Sequence, residues 1–132
     1  MYKRQYLDYA KESNHCEVLC GGGYDKSKGY FVEPTVILTT DSHFKTLEEE
    51  IFGPVLTIFV YENENWNETL ELIDNTSPYA LTGCVFSKDR DIVEEVRSKL
   101  RFSAGNFYIN DKPTGAVGVS YTHLTLPTNR EV

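Results

Sequence analysis

At 132 residues, 40% hydrophobic and 25% charged, the chain has the length and composition of one globular domain with a real core. Its net charge of −7 and the lack of any basic cluster argue against a nucleic-acid surface, which needs a positive field. No apolar run reaches the roughly 18–20 residues that cross a bilayer, and the N-terminus lacks the apolar stretch of a signal peptide, so neither membrane insertion nor secretion is supported.

In chain order, Met1–Gln5 already stands apart. MYKRQ resembles the translation of GTG TAT AAG AGA CAG, with GTG as the start codon. The far tail, beginning VSYTHLTLPT at Val119, resembles that of GTC TCT TAT ACA CAT CTG ACG CTG CCG ACG. Both strings belong to the mosaic end of a transposase-based sequencing adapter. Residues 1–5 and 119–132 are therefore read as adapter-like and residues 6–118 as native, a fragment of a larger protein. Without Lys3 and Arg4 the central segment is more acidic still.

Residues 6–13 fit the end of a helix. CEVLCGGG (Cys16–Gly23) is a short strand running into glycines that permit positive φ. Cys16 and Cys20, four apart, share one face of a helix or of a strand. A metal site would need two more ligands, and only His15 is adjacent, so Cys16, Cys20 and Cys84 read as reduced thiols, with no metal. GYFVEPTVIL (Gly29–Leu38) is β-rich, but Pro34 restricts it to an edge, an irregular strand or a bulge.

LEEEIFGPVLTIFVY (Leu47–Tyr61) sets three carboxylates against a strand, Pro54–Tyr61, apolar enough to be covered on both faces. Charge beside a hydrophobic layer is costly unless paired. Either the acids end a loop in water, or one of them is aimed at a ligand. NWNETLELIDNT (Asn65–Thr76) predicts a helix with Trp66, Leu70 and Ile73 at helical spacing, capped by Asn65 or Asn67, with Glu68 placed as in a capping box. ALTGCVFS (Ala80–Ser87) is a buried strand in which Cys84 is a small core hydrophobe. KDRDIVEEVRSKL (Lys88–Leu100) is a helix with Ile92, Val93, Val96 and Leu100 on one stripe, and AGNFYIND (Ala104–Asp111) is a further strand. This alternation predicts an α/β fold, a largely parallel sheet with flanking helices.

EEEIFGPV, SPYALTGCVFSKD, AGNFYINDKPTGAV and GYFVEPTV together resemble the C-terminal part of the aldehyde dehydrogenase superfamily. GNFYINDKPTGAV narrows the resemblance to the L-glutamate γ-semialdehyde (Δ1-pyrroline-5-carboxylate) dehydrogenases of proline catabolism and glutamate formation. The resemblance covers essentially all of residues 6–118, and it implies part of the catalytic domain of an oxidoreductase using NAD. In that family the acid before the Ile-Phe-Gly-Pro turn, here Glu50, bonds the nicotinamide ribose of NAD, and Phe52 packs beside the nicotinamide. The TGAV stretch implies a substrate anchor at Gly115 and Ala116, whose backbone N–H groups hold the amino-acid carboxylate. Relatives with Ser in place of Ala116 have a hydroxyl that this chain lacks. Asn106, Asn110 and Lys112 have strand-end hydrogen bonding as their ordinary role.

The resemblance further implies that a cysteine thiolate attacks the aldehyde, hydride passes to NAD, and water hydrolyses the thioester. The nucleophile is expected upstream of this segment, so the chain supplies no catalytic residue and is inactive alone. The implied partner is a small-molecule substrate, with no nucleic acid or membrane, and the full-length parent is a homo-oligomer. Adapter-like flanks favour a bacterial source and hence the cytoplasm; a eukaryotic homologue would sit in the mitochondrial matrix. The alternatives are another aldehyde dehydrogenase, or a non-catalytic acidic α/β interaction module.

Overall fold

A computed structural model describes residues 2–79 and 81–113, which divide after Asn63 into two units. The first unit opens with helix α1 (Tyr2–Glu12), which begins inside the adapter-like segment. Its buried face is carried by Leu7 and Ala10, three residues apart and 0% and 1% exposed. Arg4 and Gln5 are exposed, and Arg4 pairs with Asp8 one turn on at 3.3 Å.

Strands β1 (Cys16–Cys20), β4 (Thr35–Thr39) and β5 (Val55–Phe59) form a sheet in the order β1-β4-β5. β4 is antiparallel to β1 and parallel to β5. Between them lies a short hairpin of β2 (Tyr24–Asp25) and β3 (Phe31–Val32). β4 is the central strand, and Thr35, Ile37 and Thr39 on its inner face are all buried. The two buried hydroxyls are satisfied: Thr39 Oγ1 donates to the His15 carbonyl (3.0 Å), and Thr35 Oγ1 donates to the Glu33 carbonyl (2.8 Å). Ala10, Ile37 and Phe44 make the core, with Cys16, Val18, Leu47 and Val55 packed against it.

Pro34 acts as the sequence implies: the strand breaks at Glu33–Pro34, between β3 and β4. The opposing strand answers with a register shift between Val18 and Cys20. The chain then turns at Gly21, whose φ is 74°; a Cβ there would lie 2.1 Å from the Pro34 carbonyl oxygen, so only glycine fits.

The expectation that Pro54–Tyr61 is covered on both faces is not met within this unit. Val55, Thr57 and Phe59 are half-buried, and Thr57 shares a 2.6 Å hydroxyl hydrogen bond with Thr46. Leu56, Ile58 and Val60, on the alternate face, are 59%, 37% and 69% exposed. The period-2 geometry of a strand makes this split sharp.

After a 3₁₀ turn at Asn63–Asn65, the second unit holds α3 (Trp66–Asn75), followed by β6 (Thr82–Val85), α4 (Arg90–Lys99) and β7 (Asn106–Ile109). β6 and β7 pair in parallel from Thr82↔Asn106 to Val85↔Ile109, with α4 as the crossover, the α/β unit the sequence implies. Leu70, Val96 and Leu100 form the core, flanked by Trp66, Val85, Ile92 and Phe107. Asp89 caps α4, its carboxylate accepting from the N–H groups of Asp91 and Ile92.

Three expectations fail here for local reasons. Cys84 is exposed, because it lies on the open face of β6. Ile73 is 46% exposed, so the core stripe of α3 runs through Trp66 and Leu70 instead. Asn65 occupies the N-cap position of α3 but its side chain accepts no capping bond; its carbonyl accepts from Thr69 Oγ1 at 2.7 Å. The capping box with Glu68 is therefore not formed.

Trp66 Nε1 donates to Glu95 Oε2 at 3.0 Å, joining α3 to α4. This bond is the main cause holding the Glu95 carboxyl below the ordinary glutamate range, with Lys99 adding to it. A depressed carboxyl gives stability that is present above the unfolded value and lost as pH falls through the folded one. Trp66→Phe should raise the Glu95 titration measured by NMR. The stability gap between Trp66→Phe and the unaltered chain should narrow as pH falls through that range.

Candidate functional site

The three acids of the EEEIFGP stretch have different surroundings. A short helix, α2 (Lys45–Glu48), ends on the first of them, and no sequence pattern signals it because one turn shows no periodicity. Glu48 ends α2 and meets His43 Nδ1 at 2.7 Å. Glu49 follows as the C-cap residue, accepts a hydrogen bond from the Tyr6 hydroxyl, and lies 3.9 Å from Lys45 Nζ. Lys45 Nζ also sits over the Tyr6 ring, 5.1 Å from its centroid. Glu50 is exposed, and among the described residues no hydrogen bond or ion pair reaches its carboxylate.

Beyond Glu50 the chain turns inward and out again. Ile51 is 7% exposed, whereas Phe52 is 74% exposed. Phe52 has φ 55°, in the left-handed region that a bulky residue rarely adopts. Within the Ile-Phe-Gly-Pro turn the left-handed residue is Phe52 itself. Burying the Ile51 side chain contributes about 1.5–3 kcal/mol, against a left-handed cost of about 1–2 kcal/mol at Phe52. The anchor outweighs the strain. Val55 N–H then donates to the Gly53 carbonyl and Thr35 N–H to the Pro54 carbonyl, both at 2.8 Å, and β5 begins.

The result is a turn with one anchored apolar residue between two exposed ones, a carboxylate with no partner among the described residues and an aromatic ring. A carboxylate accepts hydrogen bonds only, so its natural partners are hydroxyl or N–H donors. An exposed ring offers a face for a flat, apolar or aromatic group. The pair is chemically suited to a nucleoside, with ribose hydroxyls on Glu50 and a heterocycle on Phe52. Gly115 and Ala116, the other candidate site residues, lie outside the described residues.

Cys16 donates to the Ala10 carbonyl at 2.8 Å, and burial pushes its thiol above the ordinary range, which disfavours the nucleophilic thiolate. Cys20 and Cys84 are exposed. Among the described residues no group of three or more His, Cys, Asp or Glu could hold a metal ion, and no helix is long and apolar enough to cross a membrane.

Comparison with known proteins agrees with the motifs. The description of the aldehyde dehydrogenase family matches residues 3–122. The chain is similar to the mitochondrial delta-1-pyrroline-5-carboxylate dehydrogenase of Danio rerio, 54% identical over 112 residues, 85% of this chain and 20% of the relative. It is 48% identical to that of Homo sapiens over 114 residues, 86% of this chain and 20% of the relative. Its structure is similar to the delta-pyrroline-5-carboxylate dehydrogenase from Mycobacterium tuberculosis bound with NAD, with a TM-score of 0.74 at 46% identity, covering 87% of this chain and 20% of that one. The chain thus spans about one fifth of the length of these relatives. With its mixed α/β architecture and parallel strand pairs, the chain belongs to the aldehyde dehydrogenase family.

Proposed function

We propose that this chain is part of an NAD-dependent dehydrogenase that oxidises L-glutamate γ-semialdehyde to L-glutamate. The observation that carries the reading is the turn at residues 50–54. It presents a carboxylate that no hydrogen bond or ion pair reaches among the described residues, and an exposed aromatic ring, in a chain 54% identical to a delta-1-pyrroline-5-carboxylate dehydrogenase. Glu50 would accept hydrogen bonds from the nicotinamide ribose, and charge assistance makes such bonds stronger than neutral ones. Phe52 would pack beside the nicotinamide and restrict its motion, which favours the geometry for transfer. NAD, when bound, supplies the hydride acceptor.

Gly115 and Ala116 are proposed to offer backbone N–H groups to the substrate's amino-acid carboxylate. The nucleophilic thiolate is proposed to come from a part of the enzyme outside this chain, since the resemblance puts the nucleophile upstream and none of Cys16, Cys20 and Cys84 lies in that motif. The enzyme as a whole is proposed to be a homo-oligomer acting on a small molecule. The eukaryotic relatives are named mitochondrial, which supports the mitochondrial matrix for a eukaryotic source; for a bacterial source, which the adapter-like flanks favour, the cytoplasm is proposed. Residues 6–118 are proposed as its native part.

Three measurements check this reading. The purified 132-residue chain should produce no NADH from L-glutamate γ-semialdehyde; measurable production would defeat the division of labour. Removing residues 1–5 and 119–132 should change unfolding free energy by no more than about 1 kcal/mol, since exposed pairs such as Arg4–Asp8 contribute little. A larger loss would show the flanks to be part of the fold.

The third acts on the acids in the full-length enzyme. Glu50→Gln should cost about 1.5–3 kcal/mol, roughly ten- to hundredfold in NAD affinity or hydride-transfer efficiency. Glu48→Gln and Glu49→Gln, which alter exposed contacts to His43, Tyr6 and Lys45, should leave the KM for NAD unchanged. If all three variants behave alike with NAD varied, Glu50 is not the ribose contact.

A further inference from the structure

Thr57 is the polar residue on the inner face of β5, between Val55 and Phe59, and all three are half-buried. Thr46 is the buried residue of α2, on a segment otherwise anchored by the buried Phe44 and by Leu47 against the core. The two hydroxyls, eleven positions apart, meet at 2.6 Å, and either can donate. Carbon atoms in contact stand about 3.5–4.0 Å apart. The hydrogen bond therefore brings α2 closer to β5, by about 1 Å, than apolar packing at the same two positions allows.

The two sides of this contact are held unequally. Thr57 lies in the parallel ladder opposite Ile37 of β4, so the strand fixes its place. α2 is a single turn, and its N-cap residue, Phe44, makes no side-chain capping bond. One turn of helix does not hold itself, because propagation never recovers the cost of nucleation. Its place comes from what it touches. Glu49 follows α2 as the C-cap, its N–H donating to the Lys45 carbonyl at 3.0 Å, and Glu50 comes next. Whatever sets the position of α2 sets where Glu50 leaves it. Two hydroxyls facing each other add little net stability, since an apolar pair of the same shape does nearly as well. What they supply that an apolar pair does not is the short distance.

We propose that Thr46 and Thr57 are positioning residues for the cofactor contact: their hydrogen bond draws the end of α2 against β5 and so places the Glu50 carboxylate at the nicotinamide ribose. This rests on the reading of Glu50 as the ribose contact. Neither threonine touches substrate or cofactor in this role.

The test uses the full-length enzyme, with the Kd for NAD read by calorimetry. Thr46→Val together with Thr57→Val removes both hydroxyls at constant shape and leaves neither unsatisfied. It should raise the Kd for NAD about three- to tenfold, the scale of one misplaced hydrogen bond. The melting temperature and the KM for L-glutamate γ-semialdehyde at saturating NAD should not move. Thr46→Ser together with Thr57→Ser keeps both hydroxyls and should bind NAD within about twofold of the unaltered enzyme, by the same scale. In a Glu50→Gln background the two valines should add less than about twofold, because the contact they act through is already weakened. Thr46→Val alone carries the same expectation for NAD and serves if the double variant does not fold. An unchanged Kd in the valine variants, an equal loss in the serine variant, or an undiminished loss in the Glu50→Gln background overturns the proposal. Glu50→Gln alone keeps the two readings apart. If it weakens NAD binding while the valines do not, the ribose contact stands and the role of the threonines is overturned. If it leaves the Kd unchanged, the ribose reading falls and this proposal falls with it.

Discussion

The backbone bond from Thr35 N–H to the Pro54 carbonyl, 2.8 Å long, is the constraint on which the candidate site depends. It fixes where β5 starts beside β4, and the parallel register then follows residue by residue from Thr35↔Val55 to Thr39↔Phe59. A strand register cannot slip by one residue without turning every side chain to the opposite face. With Pro54 held at one end and Ile51 buried near the other, the turn between them has little freedom. Glu50 and Phe52 are exposed because Ile51 between them is not. The core of the first unit and the proposed cofactor contacts are thus parts of one arrangement.

Three adjacent carboxylates repel one another, and the fold separates their roles by giving two of them partners. Glu48 reaches back to His43, and Glu49 reaches to Tyr6 and Lys45. These contacts are exposed and individually weak. Their effect is to engage two of the three charges, while among the described residues no partner reaches the third. The left-handed Phe52 fits the same pattern, since backbone strain tends to persist where surrounding structure fixes a functional geometry.

Much of this was legible before the structure. The α/β alternation follows from hydrophobic period and turn residues, and the break at Pro34 follows from its missing N–H. Helix α4 shows its apolar stripe openly in KDRDIVEEVRSKL. The errors share a cause. The burial of Cys84, Ile73 and the outer face of β5 depends on which neighbours cover each face, and a strand or helix pattern states only that a face is apolar. Helix α2 is too short to carry a period. The left-handed residue is Phe52, beside the buried Ile51, and nothing in the local pattern marks it. Asn110 was visible as a motif residue, but its bond to Ser87 spans 23 positions and no local pattern signals it.

The central claim is that Glu50 is aimed at a nucleotide and its two neighbours are not. The most direct measurement is a crystal structure of the full-length enzyme with NAD. The account predicts a Glu50 carboxylate oxygen within about 3 Å of a hydroxyl of the nicotinamide ribose, the range of a hydrogen bond, with the Phe52 ring against the nicotinamide. An ordered cofactor whose ribose is held by other residues, with the Glu50 carboxylate in water, would contradict it.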